Sequence, residues 1–306
     1  MTNPFWPGVP SGIAGSGASR LMGRAGATAA RMVLGTALSR LRQGAGLSAG
    51  QASEATGVPT GVITGMELGR SDVRLWDVAG LYSAYGVDDL AERSTLLGLA
   101  HRANSTEWWH GYRDVIPDWF EHYLGLEQAA SLIRLYSGQP VPSLLQTPGY
   151  ARELIRLSHV KVTDSELERR VELRLRRQHI LHSDQPLKFW VVIDEAALRR
   201  PAGSPQIMRA QIRHLISLSD LHNVTIRVLP FRLGAHPANT GGPMSVLRLP
   251  DRELPDIAFV EHFGGAEYFQ SRAELDHFRH VLNLLALQAE PAGPVRDLLG
   301  QILREA

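Results

Sequence analysis

The stretch LSRLRQGAGLSAGQASEATGVPTGVITGMELG, residues 38–69, decides the fold of the first part of the chain. Its pattern predicts short helices separated by tight breaks. Gly44 and Gly46 end one helix, and Ser48 is a good N-cap for the next because Gln51 stands where a capping box requires it. Three further residues mark a tight turn, a helix start and a C-cap: Gly57, Pro59 and Gly69.

Helical patterns continue outward on both sides of this stretch. The helix that precedes it is marked by leucines at helical spacing: Leu34, Leu38 and Leu41. Two more helices are expected at about 73–85 and 88–102. Residues 31–103 are therefore predicted to form a compact domain of five short helices. Residues 1–30 are rich in Gly, Pro, Ser and Ala without a sustained apolar period, which predicts a flexible arm.

The composition is that of a globular protein with two parts. The chain has 306 residues and a net charge of +1, so as a whole it has no strong attraction to nucleic acid or membrane. It contains no cysteine, which excludes disulfides, thiolate metal sites and a cysteine nucleophile. It shows neither a signal peptide nor an apolar run of roughly 18 residues that could span a bilayer. We therefore expect a soluble, cytoplasmic protein.

The remaining chain, residues 104–306, changes from helical to mixed patterning. Residues 103–117 are interpreted as a connection that packs onto the C-terminal part of the chain. A helical block is predicted over 118–183, a sheet-containing block over 187–262 and a closing helical block over 271–304. The predicted fold class is a multi-domain α and α/β protein, in which helices lead into a mixed β-sheet flanked by helices.

Within these blocks, individual elements are suggested by the hydrophobic period. Helices are expected at about 118–137, 147–158 and 164–183. Acid–base pairs at i, i+4 in the last of these indicate a solvated face: Glu166 with Arg170, and Glu172 with Arg176. A strand at 187–193, a helix at about 205–219 and a strand at 224–229 predict parallel pairing through a crossover. Later strands and helices are expected at 244–249, 257–262, 271–289 and 293–304.

Residues 38–69 resemble the phage-repressor-like helix-turn-helix of the xenobiotic-response-element family. The resemblance is carried by Leu41-Arg42, Gly46-Leu47-Ser48, Gly57-Val58, Ile63 and Glu67-Leu68-Gly69. It implies a left-handed turn at Gly57 and an ion pair between Arg42 and Glu67 that ties the first helix to the third. It also implies a small core that contains Leu47, Val58 and Ile63.

In this family the second helix of the motif lies in the DNA major groove. The resemblance and the arginine positions give these candidate DNA-binding residues: Arg40, Arg42, Ser48, Gln51, Pro59, Thr60, Gly61, Thr64, Gly65 and Arg70. The sequence departs from the family pattern because Gly61 and Gly65 carry no side chain that could read a base. Ala49 also stands where the family usually has glutamine.

The charge of this region favours contact with phosphate. The first 75 residues contain seven arginines and three acids, a local charge of +4. Arg20, Arg24 and Arg31 in or beside the arm belong either to a simple tail or to an arm that touches DNA. We expect binding to double-stranded DNA. The alternative is an interaction or antitoxin-like protein whose helix-turn-helix is retained only for docking.

From about Trp108 onward the chain resembles the C-terminal domain of unknown function carried by WhiJ-like actinobacterial regulators. The matching stretches include Trp108-Trp109-His110-Gly111-Tyr112-Arg113-Asp114, Val141-Pro142-Ser143-Leu144-Leu145-Gln146-Thr147, Val191-Val192-Ile193-Asp194-Glu195 and Gly234-Ala235-His236-Pro237. The resemblance implies transcriptional control of development or secondary metabolism, often with a small partner protein encoded nearby. It implies no reaction and no ligand.

A few polar and aromatic residues could form a catalytic or ligand site, but each also has a plausible structural role. Asp194-Glu195 after a strand and His236 in a loop could form a hydrolytic or metal site. We favour the alternative in which Asp194 caps a helix and His236 orders its loop, and we expect neither an enzyme nor a cofactor or metal. Aromatic residues between 108 and 123 are predicted to be core, to join the domains or to line a groove between them. The candidates for contact with a small-molecule effector or partner are Trp108, Trp109, Trp119 and His236. A homodimer is also expected.

Overall fold

The computed structural model describes residues 26–250, 254–290 and 292–305. The described chain divides into two compact units, with the boundary between Glu107 and Trp108. Most of the predicted arm, including Arg20 and Arg24, lies outside the described residues. Within the part of the chain that is described, no helix is both long and apolar enough to cross a membrane.

The first unit is a bundle of five helices. Their bounds are α1 Ala27–Gly44, α2 Ala49–Thr56, α3 Thr60–Glu67, α4 Leu75–Ala84 and α5 Leu90–Ala103. The arm was predicted to extend to residue 30, and this boundary is wrong because α1 already begins at Ala27. Residues 27–30 are small and buried, so they pack closely without the large apolar side chains that mark a helix in the sequence.

The core of the bundle is formed by the faces that the sequence period indicated. Leu34 and Leu38 of α1 are fully buried, as is Ile63 of α3. Val58 is also buried, whereas Leu47, the third predicted core residue, is only half-buried. The helices are short, so their stability comes mainly from this packing and from their caps.

The second unit is an α/β structure around one six-stranded sheet. Its helices are α6 Asp118–Ala129, α7 Pro148–Ser158, α8 Asp164–Arg177, α9 Glu195–Arg199, α10 Pro205–Leu218, α11 Arg272–Gln288 and α12 Ala292–Glu305. Its strands are β1 Leu132–Ser137, β2 Lys188–Asp194, β3 Val224–Leu229, β4 Met244–Arg248, β5 Ile257–His262 and β6 Gly265–Phe269. The predicted fold class, a helical bundle followed by helices and a mixed sheet, is confirmed.

The strand order is β3-β2-β1-β4-β5-β6. The predicted parallel pairing of β2 with β3 is present, and β1 also pairs with β2 in parallel. The other neighbours are antiparallel. The mixed sheet therefore has a parallel half followed in strand order by an antiparallel half.

Two elements differ from the sequence prediction. The helix expected over 118–137 ends at Ala129, and β1 follows as a central strand of the sheet. The chain leaves the helix because Ala130 is extended and the Ser131 N–H donates to the carbonyl oxygen of Arg248 at 2.8 Å, which begins the ladder with β4. Strand β6 was not predicted, and it forms a hairpin with β5.

The sheet is covered on both faces. On one face, α11 packs through Leu282 and Leu285 against Val192 and Val246. On the opposite face stand Leu135, Ser245 and Phe259, which are neighbours across β1, β4 and β5. The second face forms part of a cavity.

Candidate nucleic-acid interface and cavity

The α2–turn–α3 element is held together by local hydrogen bonds. Ser48 and Gln51 form the predicted capping box: the Gln51 N–H donates to Ser48 Oγ at 3.2 Å, and the Ser48 N–H donates to Gln51 Oε1 at 2.8 Å. The turn after α2 passes through Gly57, whose φ of 74° is in the left-handed region that favours glycine. This places α3 directly after a short, fixed turn, which is the arrangement expected of a helix-turn-helix.

Eight of the ten predicted DNA-binding residues are exposed. These are Arg40, Ser48, Gln51, Pro59, Thr60, Gly61, Thr64 and Arg70. They lie at the end of α1, the start of α2, along α3 and just after α3. The Thr64 hydroxyl donates to the carbonyl oxygen of Thr60 at 3.0 Å, so the two threonines present short side chains on this surface. The exposed set forms a candidate nucleic-acid interface with few long polar groups.

Arg42 does not belong to this interface. Its Nε and Nη2 donate to the two carboxylate oxygens of Glu67 at 2.6 and 2.8 Å, and its Nη1 donates to the carbonyl oxygen of Leu47 at 2.8 Å. The ion pair implied by the resemblance is therefore present. The hydrogen bond from Arg42 to Glu67 raises the pKa of the arginine, and burial is the main cause that raises the pKa of nearby Tyr85 to about 12. Because its charge is neutralised internally, the prediction that Arg42 contacts DNA is corrected.

Gly65 is also removed from the interface. A Cβ atom at Gly65 would lie 1.9 Å from Ser71 Oγ, so this glycine makes room for the turn that follows α3. Gly61 is different, since a Cβ atom there would meet nothing within 4 Å. Only Gly61 leaves open space on the exposed surface of α3.

The positive charge available to DNA is smaller than the sequence count indicated. The Arg31 Nε donates to the carbonyl oxygen of Ala103 at 2.9 Å within the bundle, and its Nη2 lies 3.8 Å from Asp72. With Arg42 also paired, the exposed arginines of the described bundle near α3 are Arg40, Arg70 and Arg74. Contact with phosphate in this unit would therefore rest on few side chains.

Most of the aromatic segment lies in the core of the second unit. Trp109 is 2% exposed and packs in one cluster with Tyr112 and Leu124. Trp108 is half-buried beside it, with the two ring centroids 5.5 Å apart, and Arg176 lies over its ring. Trp109 therefore lies in the core and Trp108 at its edge, and neither side chain lines the cavity described below.

Trp119 lies elsewhere, at a cavity inside the second unit. The cavity has a volume of about 480 Å³, within the range of roughly 300–1,000 Å³ found for small-molecule sites. One wall is the sheet face formed by Leu135, Ser245 and Phe259. The other walls are α6, α8, α7 and the segment 140–146. Of the four predicted effector residues, Trp119 is the one that lines this cavity.

The cavity contains an internal ion pair. Arg177 is buried and donates from Nε and Nη2 to the two oxygens of Glu127, both at 2.7 Å. Burial alone would lower the pKa of Arg177, but the charge and hydrogen bonds of Glu127 raise it. The aromatic rings of Phe120 and Tyr123 also lie beneath this guanidinium, at 5.0 and 5.8 Å. Arg177 is therefore fixed and charged.

A second arginine of the same helix face has no such partner. The Arg174 Nη1 donates to Gln146 Oε1 at 2.8 Å, and Arg174 forms no ion pair with any carboxylate of the described residues. Burial, and after it the charge of Arg177, lowers the pKa of Arg174 to about 10. The cavity therefore contains a guanidinium that is hydrogen-bonded to a neutral side chain and not to a carboxylate.

The sequence did not identify this site, although it contained a signal. Arg170, Arg174 and Arg177 repeat at i, i+4, i+7, on the same stripe of α8 as the buried Leu167 and Val171. The predicted solvated pairs of α8 do not form. The carboxylate of Glu166 accepts from Thr163 instead, Arg170 bonds to the carbonyl oxygen of Val115 and Arg176 lies over Trp108.

Asp194, Glu195 and His236 have structural partners. Asp194 Oδ1 accepts from the Ala196 N–H at 2.8 Å, which is the predicted helix cap, and Asp194 Oδ2 lies 3.2 Å from His236 Nε2. Glu195 accepts from Arg199 Nε and from the Phe231 N–H, at 2.5 and 2.7 Å. Within the described ranges, no group of three histidine, aspartate or glutamate side chains could hold a metal ion.

Comparison with known protein families gives two matches. Residues 33–96 match the model described as "Helix-turn-helix domain", and residues 120–301 match the model described as "Domain of unknown function (DUF5753)". The first match covers α2, the turn and α3, and the second contains most of the residues that line the cavity. No curated protein and no solved structure matches the chain.

Proposed function

The chain belongs to the family of proteins that carry the domain of unknown function DUF5753, and on that premise we propose that it is a DNA-binding transcriptional regulator whose second unit controls binding. The main support is the match to a helix-turn-helix domain over an element with a complete capping box and an exposed second helix. We further propose that the chain belongs to the xenobiotic-response-element type and to the WhiJ-like actinobacterial regulators. On this proposal it acts in the cytoplasm on genes of development or secondary metabolism.

The proposed recognition is weak in sequence specificity and strong in salt dependence. Thr60 and Thr64 are short, and Gly61 offers no group to a base edge. Arg40 and Arg70 would contact phosphates, and such contacts release counterions from DNA. Affinity should therefore fall steeply as salt is raised, with modest preference for one sequence over another.

A titration of the native upstream DNA tests this proposal. We expect a complex at low salt whose affinity falls by an order of magnitude or more at moderate salt. The variant Arg70→Gln should bind more weakly, with a salt slope smaller by about 1 for each bound chain. Arg102→Gln is the matched control, because α5 packs on α1 and α4 rather than presenting the α2–α3 surface. Absence of any complex at low salt would contradict the proposal.

A second candidate function is a protein-docking module of antitoxin-like type. It is favoured by one observation, the open space at the exposed Gly61 in the first turn of α3. A partner protein could fill that space as readily as a DNA groove. Under this alternative no DNA complex forms, and a small protein encoded nearby binds the first unit.

We also propose that the protein acts as a homodimer. One helix-turn-helix buries little surface on DNA, and such motifs act as pairs about one helical turn apart. Sedimentation at micromolar concentration should give the mass of two chains, and footprints should cover two half-sites. A monomer that protects a single half-site would contradict this.

The second unit is proposed to sense a partner or a small molecule without catalysing a reaction. Support comes from Asp194, which caps a helix and lies 3.2 Å from His236 Nε2, and from Glu195, which accepts a hydrogen bond from the Phe231 N–H. An occupant could change DNA affinity only by the difference in its own affinity for the two states of the protein. A coupling of about 1–3 kcal/mol corresponds to a change of roughly 5- to 150-fold.

A further inference from the structure

The cavity of the second unit contains hydrogen-bond donors that the protein leaves unsatisfied. Arg174 has a single polar partner, the neutral side chain of Gln146. Arg170 donates from Nη1 to the carbonyl oxygen of Val115 at 2.7 Å, and its Nε is buried without a partner. Neither guanidinium is paired with a carboxylate of the described residues. A buried cation or donor without a partner is costly, so its presence requires an explanation.

A third unsatisfied group lies on the opposite wall. Ser245 is 2% exposed, and its Oγ has no hydrogen-bond partner among the described residues. It lies between Leu135 and Phe259 on the sheet face that borders the cavity. The Ser245 side chain therefore lies in the wall of the cavity, with its hydroxyl buried in that wall.

The rest of the wall is apolar and aromatic. Trp119, Phe120, Tyr123 and Phe259 line the cavity, and Tyr123 and Phe259 have ring centroids 4.3 Å apart. Glu261 also borders the cavity, but it is exposed, and its charge affects Arg174 less than burial does. An occupant therefore meets rings on one side and unpaired positive charge on the other.

We propose that this cavity binds a small molecule with one acidic group on a flat, apolar body. The acidic group accepts hydrogen bonds from the guanidinium groups of Arg174 and Arg170, and the body packs against the aromatic wall. The inference rests on the proposed sensor role and deepens it, because it names the chemical class of the effector. It requires no reaction and no metal.

Two fluorescent probes of matched shape test the chemistry directly. Anilinonaphthalene sulfonate has a flat aromatic body and one acidic group, and phenylnaphthylamine is the same body without it. We expect one saturable sulfonate site per chain in the folded protein and binding of the neutral probe at least ~10-fold weaker, since a charge-assisted hydrogen bond contributes about 1.5–3 kcal/mol. No saturable binding, or equal binding of the two probes, overturns the proposal.

Single substitutions place the probe in the cavity. Arg174→Gln should weaken the acidic probe ~10-fold or more and leave the neutral probe unchanged. Arg272→Gln removes the same charge from an arginine that is 96% exposed on α11, and it should change neither affinity. Equal effects of the two substitutions would mean that the acidic group is bound elsewhere, which overturns the assignment.

Competition with the bound sulfonate probe shows which acidic groups the cavity accepts. Because these assays contain no DNA, they test this inference separately from the proposed function. Naphthoate and naphthyl phosphate should both displace the sulfonate probe, and the tighter competitor identifies the preferred acidic group. Inorganic phosphate should not displace the probe, because it lacks the apolar body. Displacement by inorganic phosphate at similar concentration contradicts the requirement for that body. The probe titrations contain no DNA, so failure of DNA binding leaves them interpretable, and failure of probe binding leaves the DNA titration interpretable.

Discussion

Gly35 of α1 lies directly against the carbonyl oxygen of Met66 in the last turn of α3. A Cβ atom at position 35 would be 2.3 Å from that oxygen and 2.7 Å from the carbonyl oxygen of Glu67. Gly69 makes a second close approach, because a Cβ atom there would be 3.0–3.2 Å from Met32 of the same helix. The first helix is therefore packed backbone to backbone on the end of the candidate recognition helix.

Substitutions at two helical glycines should have opposite effects on stability. Gly35→Ala should lower the free energy of unfolding by about 1–3 kcal/mol, because the new methyl group overlaps backbone that cannot move freely. Gly61→Ala should raise it by about 0.5–1 kcal/mol, since alanine favours helix and meets nothing within 4 Å. Urea denaturation of both variants checks this. A stabilised Gly35→Ala protein would show that α1 is not packed on α3 in this way.

The start of α2 and the turn between α2 and α3 were predictable because caps and turns are local. Ser48 and Gln51 in the second helix, and Gly57 after it, have fixed roles within a few residues of sequence. The roles of Gly35 and Gly65 were not predictable. Each is explained by an atom of another segment, Met66 in one case and Ser71 in the other, and the sequence contains no periodic signal for such contacts.

The Arg42–Glu67 pair should contribute to the stability of the bundle rather than to DNA affinity. The two side chains are 15% and 9% exposed. Arg42→Ala should therefore cost about 2 kcal/mol, because it removes charge-assisted hydrogen bonds and leaves Glu67 without its partner. At a salt concentration where the protein stays folded, the salt slope of DNA binding should not change.

A double-mutant cycle separates the pair from the individual side chains. Arg42→Ala, Glu67→Ala and the double variant should show a coupling energy of about 1 kcal/mol or more. Additive losses of stability would mean that the bidentate geometry contributes nothing. A lower salt slope in folded Arg42→Ala would return this arginine to the DNA interface.

The cavity illustrates a different limit of sequence analysis. The strand β1, with the sequence LIRLYS, was interpreted as the end of a helix because a short apolar run fits both periods. Its place in the centre of the sheet depends on pairing with β2 and β4, which are distant in sequence. A prediction that lacks β1 also lacks the sheet wall beside α8. The sequence analysis therefore interpreted the arginines of α8 as solvated, although some of them line the cavity.

Stability should fall as the solution becomes mildly acidic, because two histidines of the second unit resist protonation. Burial, followed by the charge of Arg170, lowers the pKa of His159 below 6.5, and burial, followed by His182, lowers that of His214. The unfolded chain takes up protons near pH 6.5 that the folded chain does not. Their stabilising effect is therefore present above that pH and is lost as the pH falls through the lowered folded-state values.

Denaturation at about pH 7.5 and pH 5.5 measures this effect. The double variant His159→Gln, His214→Gln should lose less stability between the two conditions than the unsubstituted protein. His222→Gln, at an exposed position, is the control and should behave like the unsubstituted protein. If the double variant is as sensitive to pH as the control, other groups cause the loss.

Replacement of Trp109 should mainly reduce the stability of the fold, whereas replacement of Trp119 should mainly reduce the affinity for the probes. Trp109 is 2% exposed in a cluster with Tyr112, Ile116 and Leu173, so Trp109→Ala should cost about 3–5 kcal/mol through the cavity it leaves. Trp119 is half-buried, and it lines the cavity of the second unit. The carbonyl oxygen of Trp119 accepts a hydrogen bond from Tyr268 at 3.0 Å, which the substitution leaves in place.

Trp119→Ala should therefore reduce the affinity for both naphthalene probes while the melting temperature falls by only a few degrees, since a half-buried ring contributes less to folding than a fully buried one. The loss should apply to the neutral probe as well, because the ring contacts the apolar body and not the acidic group. This pattern differs from that of Arg174→Gln, which affects only the acidic probe. A Trp119→Ala protein that melts as early as Trp109→Ala and binds the probes normally would show that both tryptophans are core residues.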